Sequence, residues 1–299
     1  MAVFTGSGVA IVTPFHEDGT INYEAFEKLI EYQIASSTDA IIVCGTTGEA
    51  ATMTEEERLS VIDFAVRKVA GRIPVIAGTG GNCTQSVVEF SKKVQELGVS
   101  ALLVVTPYYN KCTQGGLYAH FSEVASSVLL PVILYNVPSR TGCNLLPETA
   151  VKIAENFPNV VGIKEASGNI NQITKLCKLS KGKLDVYSGN DEQVVPVLSV
   201  GGVGVISVLA NVAPHAVHEM VMSYLNSDVE RAREIQLYYL DLILALQCEV
   251  NPIPVKAALN MLGFSVGGLR LPLTALEEKH IEPLKKELVQ VGLLNLEKY

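Results

Sequence analysis

The sequence predicts a (β/α)8 barrel, an α/β TIM-barrel fold, with a C-terminal helical extension, and three observations lead to that fold class. Eight short, almost continuously apolar runs recur along the 299 residues, as expected of parallel strands covered on both faces. Segments with the apolar period of amphipathic helices separate these runs. Each strand–helix unit takes about 30 residues, the length of a βαβ repeat. We therefore assign residues 1–225 to the barrel and residues 226–299 to the extension.

The predicted strands are rich in β-branched residues, which favour strands over helices. A doubly wound open sheet is the alternative arrangement, but its first βα turn normally carries a glycine fingerprint. The first turn here reads TPFHEDGT and has none, which favours the closed barrel. The eight runs begin at Gly8, Ala40, Pro74, Ala101, Pro131, Val160, Leu184 and Gly202.

Local signals also predict where several helices begin and end. Thr54 and Glu57 have the spacing of a capping box, in which each side chain bonds the backbone N–H of the other residue. Gly98 is expected to end the third helix, since glycine is common just beyond a helix. Pro147 fits the first turn of a later helix, where its missing N–H costs nothing. The extension is expected to close with a helix over residues 274–292.

Composition excludes some functional classes. A net charge of −8 and a pI near 5.2 argue against nucleic-acid binding, which needs a basic surface. No apolar stretch is long enough to span a bilayer, and the first residues lack the basic and apolar regions of a signal peptide. The six cysteines are scattered without zinc-type spacing. We expect a cytoplasmic protein with reduced thiols and no membrane partner.

Lys164 is the first candidate for chemistry because it ends the apolar run that starts at Val160. In (β/α)8 barrels the active site lies at the C-terminal ends of the strands. Strand alternation points Lys164 and Glu165 to opposite faces, so the lysine can face the barrel mouth. A desolvated, neutral amine is a nucleophile that forms a Schiff base with a carbonyl substrate. The alternative interpretation is a lysine that reaches solvent at the barrel rim.

Other polar residues follow the neighbouring strands at the same height. Thr46 and Thr47, in GTTGEA, offer adjacent N–H groups and hydroxyls that suit a carboxylate. Tyr135 can relay protons if its hydroxyl is held by partners, and Arg140 can bind a carboxylate through its two-pronged guanidinium. Tyr109, beside another tyrosine, suggests a binding loop or subunit interface. Taken singly, each of these residues can also be interpreted as an ordinary turn, core or surface residue without a role in catalysis.

Five motifs together resemble one family: GTTGEA, TPYYN, YNVPSRTG, GIKEASG and NPIPVK. They are similar to the dihydrodipicolinate synthase family, within the pyruvate-dependent class I aldolases that include N-acetylneuraminate lyase. The resemblance covers nearly the whole chain. It implies a lyase that condenses pyruvate with L-aspartate 4-semialdehyde to give 4-hydroxy-tetrahydrodipicolinate, in diaminopimelate and lysine biosynthesis. The alternative within the superfamily is an aldolase or lyase acting on a sugar acid.

The resemblance also implies roles for matching residues. Lys164 would form the Schiff base with pyruvate, and no further cofactor or metal would be needed. Tyr135 would be the acid and base, in a relay with Thr47 and Tyr109. Thr46 and Thr47 would hold the pyruvate carboxylate. The residue matching Tyr109 reaches in from a neighbouring subunit in the family, which implies a homo-oligomer, either a dimer or a tetramer built as a dimer of dimers.

Three further positions match the substrate pocket of the family. Arg140 would bind the carboxylate of aspartate semialdehyde, and it distinguishes the synthases from the sialic-acid lyases. Gly189 and Ile206 would line the pocket. No residue of the chain is expected to bind a nucleic acid.

A departure from the family pattern concerns feedback inhibition by lysine. Inhibited members carry a histidine and a glutamate where this chain has Glu55 and Ser86, although Asn82 and Tyr108 match. The missing glutamate would have paired with the ammonium of the ligand. We therefore expect lysine to inhibit this protein weakly or not at all.

Two other interpretations remain open at this stage. His215 and His218 have a spacing that can begin a metal site, but no third ligand is evident nearby, which favours a surface helix. A barrel that binds a keto acid without turnover is the non-enzyme alternative. The presence of Lys164, Tyr135 and Arg140 favours the enzyme.

Overall fold

The computed structural model describes residues 2–295, and within them eight parallel strands close into a barrel in chain order. Each strand pairs with the next, and the eighth returns to the first, where Gly8 lies opposite Ile206. The predicted fold class is confirmed, and all eight apolar runs form strands. The strands are β1 (Gly6–Ala10), β2 (Ala40–Val43), β3 (Val75–Gly78), β4 (Ala101–Val105), β5 (Val132–Asn136), β6 (Val160–Glu165), β7 (Asp185–Ser188) and β8 (Gly204–Ser207).

Helices alternate with the strands. The predicted capping box of Thr54 and Glu57 is present, and Pro147 is the first residue of its helix. The predicted end of the third helix at Gly98 is wrong: the helix ends at Gln95, because the chain tightens there and Gly98 N–H bonds Gln95 O. The barrel helices are α1 (Tyr23–Ala35), α2 (Glu55–Val69), α3 (Thr84–Gln95), α4 (Gln114–Ser127), α5 (Pro138–Thr141), α6 (Pro147–Asn156), α7 (Ile170–Ser180), α8 (Val194–Ser199) and α9 (Pro214–Leu225).

Apolar side chains fill the barrel in two layers. An inner cluster inside the strands includes Ile42, Leu103, Ile133 and Tyr187, whereas an outer cluster fills the space between strands and helices. Burying one such side chain stabilises the fold by about 1.5–3 kcal/mol. This packing makes the barrel interior a filled core and not a channel.

Within residues 2–295, four further helices follow α9 and bring one corner of the chain to the barrel mouth. The final helix, Glu278–Gln290, is shorter than the predicted residues 274–292. The corner around Asn251 immediately precedes the third of these helices. The division at residue 225 stays a prediction. The helices are α10 (Val229–Tyr238), α11 (Leu240–Ala245), α12 (Ile253–Met261) and α13 (Glu278–Gln290).

Two expectations drawn from composition bear on the described chain. All six cysteines are free thiols. Within residues 2–295, no helix combines the length and apolar character needed to cross a membrane.

Candidate active site

Lys164 and Tyr135 lie side by side at the C-terminal ends of adjacent strands. They are direct register partners of β6 and β5, so their side chains leave the sheet on the same face. Both are buried, and Lys164 Nζ lies 4.5 Å from the centre of the Tyr135 ring. No carboxylate within residues 2–295 forms an ion pair with Lys164. The amine is thus desolvated and faces an aromatic ring that carries a hydroxyl.

Glu165 lies on the opposite face of β6, as strand alternation predicts. Its carboxylate accepts hydrogen bonds from Asn136 Nδ2, from Gln172 Nε2 and from the backbone N–H of Ser167. Burial raises the pKa of Glu165, although these hydrogen bonds oppose the effect. The carboxylate next to Lys164 in the sequence therefore fixes the loop after β6 and leaves the lysine without a counter-ion.

A cavity of about 460 Å³ opens at the barrel mouth and collects most of the predicted site residues. Lys164 forms part of its wall, and the adjoining cavity of about 300 Å³ shares Tyr135 with it. Volumes of this size suit small metabolites. The site residues that line the larger cavity are Thr46, Thr47, Tyr135, Arg140, Lys164 and Gly189.

Thr46 and Thr47 lie in the turn that follows β2. Thr47 is buried, and its Oγ1 accepts a hydrogen bond of 2.9 Å from Asn251 Nδ2. The next residue, Gly48, is held by Thr13 Oγ1, which donates 2.7 Å to the Gly48 carbonyl. Thr47 and the residue that follows it are thus fixed by contacts from other segments.

Arg140 reaches the cavity from α5, the short helix after β5. Pro138 opens this helix at a position where its missing N–H is not needed. Arg140 is largely exposed, and its Nη2 donates 3.2 Å to the backbone oxygen of Asn251. Only part of the guanidinium is engaged in this way, so donors remain for a substrate carboxylate.

The structure does not place Tyr109 or Ile206 in the cavity wall. The Tyr109 side chain is 88% exposed, and its backbone has a positive φ of 70°. Ile206 is fully buried in the inner cluster, where Tyr135 also packs. Gly189 does line the cavity, and a Cβ at this position would lie 2.6 Å from the Ala166 Cβ. Only glycine therefore allows the loops after β6 and β7 to approach so closely.

Sequence reasoning missed two polar groups of the site. Asn251 contacts Thr47 and Arg140 at once, but 204 residues separate it from Thr47. Asp191 lines the cavity, is buried, and accepts hydrogen bonds from the N–H groups of Val208 and Leu209. Burial raises the pKa of Asp191. Two prolines after Asn251, in NPIP, could have indicated a rigid corner at this residue, whereas the SGND segment that ends in Asp191 carries only a weak signal.

His218, one of the two histidines of α9, has a structural partner. His218 Nδ1 lies 2.8 Å from Asp39 Oδ2, which also accepts from the backbone N–H of Ser7. This contact joins α9 to the N-terminal end of the barrel, the end opposite the cavity. Elsewhere in residues 2–295, Glu249, Glu277 and His280 bring possible ligand atoms within 4.8 Å of one another at the surface.

The amino-acid sequence matches one protein family over nearly its whole length. Residues 3–291 match the model of the dihydrodipicolinate synthetase family. A 4-hydroxy-tetrahydrodipicolinate synthase from Thermoanaerobacter sp. (strain X514) is 56% identical over 98% of this chain and 99% of its own length.

Solved structures similar to this chain belong to the same family. A dihydrodipicolinate synthase from Thermotoga maritima superposes with a TM-score of 0.96 at 46% identity, covering 98% of this chain and 100% of that one. The chloride-inhibited enzyme from Acinetobacter baumannii, complexed with pyruvate, superposes with a TM-score of 0.95 at 46% identity, covering 97% of this chain and 99% of that one.

Proposed function

The chain belongs to the dihydrodipicolinate synthetase family, and from that premise we propose that its cavity condenses pyruvate with L-aspartate 4-semialdehyde. The product is 4-hydroxy-tetrahydrodipicolinate, on the route to diaminopimelate and lysine. The enzyme is a lyase of the class I aldolase type. One observation supports this function above the others: a buried Lys164, which has no ion-pair partner among residues 2–295, lies against Tyr135 in the wall of an accessible cavity.

The first step is imine formation at Lys164. Its amine attacks the keto carbon of pyruvate, and water leaves to give a protonated Schiff base. This cation withdraws electrons from the neighbouring methyl group, which loses a proton to give an enamine. The reaction needs no cofactor, because the lysine itself carries the substrate and accepts the electron pair.

Proton transfer is assigned to Tyr135, with Thr47 and Tyr109 as partners in a relay. The proximity of the Tyr135 ring to Lys164 supports a role in both loss of water and deprotonation of the methyl group. General acid–base catalysis of this kind contributes about 10²–10⁴-fold in rate. Thr46 and Thr47 hold the pyruvate carboxylate through their N–H groups and hydroxyls.

The second substrate supplies the aldehyde that the enamine attacks. A carbon–carbon bond forms, and the proton goes to the aldehyde oxygen to leave a hydroxyl group. The amine of aspartate semialdehyde then displaces Lys164 from the imine carbon and closes the ring. Arg140 holds the carboxylate of this substrate. Gly189 allows the loops after β6 and β7 to lie close together at the pocket, and Ile206 packs behind Tyr135.

The protein is a homo-oligomer in this proposal, either a dimer or a tetramer of two dimers. The exposure of Tyr109 supports its assignment to the site of a neighbouring subunit. Free thiols throughout the chain support a reducing, cytoplasmic location.

Trapping with borohydride tests the proposed imine. Incubation with pyruvate and sodium borohydride should add one reduced pyruvate per chain, and peptide mapping should locate it at Lys164. Lys256 provides an internal control, because it is a second buried lysine that lines neither cavity at the barrel mouth. The absence of an adduct would favour a protein that binds keto acids without turnover.

A substrate comparison tests the aldehyde. Coupled turnover of pyruvate and aspartate semialdehyde should be rapid, whereas cleavage of N-acetylneuraminate should be negligible. The opposite ranking would assign the protein to the sugar-acid lyases despite Arg140.

Subunit complementation tests Tyr109. The variants Lys164→Ala and Tyr109→Phe should each have little activity, yet a dissociated and reassociated equal mixture should recover about a quarter of wild-type activity. Half of the dimers are then mixed, and each mixed dimer holds one complete site if the interface is two-fold symmetric. No recovery in a mixture proven to exchange subunits would assign Tyr109 to its own subunit.

A further inference from the structure

A second buried lysine, Lys256 on α12, holds an ion pair outside the proposed chemistry. Its side chain is 1% exposed, and its Nζ lies 2.6 Å from Glu49 Oε1, itself fully buried. The ammonium also donates 2.7 Å to the carbonyl of Gly268 and lies 4.2 Å from the centre of the Phe15 ring. Burial lowers the pKa of Lys256, and the carboxylate opposes that effect. Stability alone does not explain a buried ion pair, because such pairs rarely stabilise a fold more than apolar residues of similar size would.

Glu49 ends the GTTGEA turn that carries the two threonines of the site. It adopts a left-handed backbone with a φ of 54°, which is unfavourable for a residue with a side chain. Its N–H bonds the carbonyl of Thr46 at 3.1 Å. Its second carboxylate oxygen accepts 3.2 Å from the backbone N–H of Arg270. The conformation of the turn therefore depends on what holds the Glu49 side chain.

Arg270 secures the turn from its other end. The guanidinium forms two hydrogen bonds with Glu57, of 2.6 and 2.7 Å, and donates to the backbone oxygens of Thr52 and Gly19. Thr52 is the last residue of the short 3-10 helix that follows Glu49. The segment from Glu49 to Glu57 is thus anchored by charged groups from a part of the chain more than 200 residues away.

The partner segment is also part of the site. Lys256 follows Asn251 by five residues, and Asn251 donates to Thr47 and accepts from Arg140. The pair between Glu49 and Lys256 consequently joins the threonine turn to the corner that supports both Thr47 and Arg140. Movement of either segment would change the distance between the two carboxylate-binding groups.

We propose that the Glu49–Lys256 ion pair is a positioning device that fixes the Thr46–Thr47 turn for the pyruvate carboxylate. Neither residue touches the reacting atoms in this proposal, which rests on the proposed function. The pair holds the turn with its left-handed residue at Glu49, and so sets the affinity for the keto acid. Lys164 and Tyr135, on separate strands, do not depend on it.

Paired substitutions separate positioning from stability. Lys256→Met leaves a buried carboxylate without a partner and is expected to lower the melting temperature, to the point of misfolding in the worst case. The double variant Glu49→Leu/Lys256→Met replaces both charges with apolar groups of similar size, so it should fold and regain most of the lost stability. The double variant therefore carries the test.

The measurement is the pyruvate dependence of the rate and of borohydride trapping. The double variant should need roughly ten-fold more pyruvate for half-maximal rate and half-maximal trapping, while kcat changes by less than about three-fold. Lys93→Met is the matched control, because it breaks an exposed pair with Glu55 and should leave the pyruvate dependence unchanged.

Two results would overturn the proposal. One is a double variant with the stability and pyruvate KM of the wild type, which would make the pair dispensable. The other is a fall in kcat with an unchanged KM, which would place the pair in the chemical step. Failure of the proposed function is distinguishable, since wild-type protein would then form no adduct at Lys164 whatever the state of the ion pair.

Discussion

Replacing Thr47 by valine tests whether its hydroxyl takes part in proton transfer or only holds the turn. The substitution keeps the shape of the side chain and removes its hydroxyl, which is both a donor and an acceptor. In the native structure Thr47 Oγ1 accepts a hydrogen bond of 2.9 Å from Asn251 Nδ2. Asn251 Oδ1 is buried and has no hydrogen-bond partner among the described residues. Thr47→Val would therefore leave the Asn251 amide without the hydrogen bond that orients it.

The expected effects on stability and on rate differ in size. An unpaired buried amide costs about 1–3 kcal/mol, which should appear as a lower free energy of unfolding. Loss of a relay hydroxyl should lower kcat by about 10²–10⁴-fold. Thr47→Ser is the matched control, because it keeps the hydroxyl and loses one buried methyl group. The serine variant should keep most of the rate while losing about 1 kcal/mol of stability.

Three measurements decide the outcome: kcat with both substrates saturating, borohydride trapping at Lys164, and denaturant unfolding. We expect the valine variant to form the pyruvate adduct at high pyruvate but to turn over slowly. If Thr47→Val and Thr47→Ser have kcat values within about five-fold of each other, well below the loss expected for acid–base catalysis, the hydroxyl is not in the relay. Thr47 would then act only through its contact with Asn251.

Other predictions follow from single features. Arg140→Met should raise the KM for aspartate semialdehyde by about 10–100-fold, the equivalent of ~1.5–3 kcal/mol for a charged hydrogen bond, with the KM for pyruvate unchanged; equal losses for both substrates would contradict the assignment. Burial lowers the pKa of His120 from 6.5 to about 4, so the unfolded chain takes up a proton first as pH falls from 6.5 towards 4 and the fold loses stability. His120→Gln should reduce that loss by about 2 kcal/mol, measured as the difference in unfolding free energy between pH 7 and pH 4.5; an unaltered difference would refute it. Millimolar lysine should leave the initial rate nearly unchanged, since Glu55 is paired with Lys93 and Ser86 carries no charge; inhibition at micromolar concentration would contradict this.

The fold was predictable because its signals are local. Each strand is a short apolar run, because a strand that is buried on both faces needs apolar side chains on both of them. The capping box of Thr54 and Glu57 needs only three residues of separation, so it can be identified from the sequence. Gly98 was misassigned because a glycine signal marks the end of a turn as readily as the end of a helix.

Only the site residues that lie at the ends of strands could be predicted from the sequence. Lys164 and Tyr135 could be placed because adjacent parallel strands end at the same edge of the barrel. Asn251 could not, because its contact with Thr47 joins segments 204 residues apart, and no local pattern encodes that distance. The same separation hides the partner of Lys256, whose position within NPIPVK resembles an ordinary residue in the first turn of a helix.

The two buried lysines show why residue type alone does not identify a nucleophile. Lys256 has a carboxylate at 2.6 Å and a carbonyl at 2.7 Å, so its ammonium is compensated and its lone pair is not available. Lys164 has an aromatic ring at 4.5 Å, a cavity beside it, and no ion-pair partner among residues 2–295. Access to the cavity lets the Lys164 amine meet a carbonyl substrate, whereas Lys256 lines neither cavity at the barrel mouth. A carboxylate placed beside Lys164, or a cavity opened beside Lys256, would change which lysine reacts.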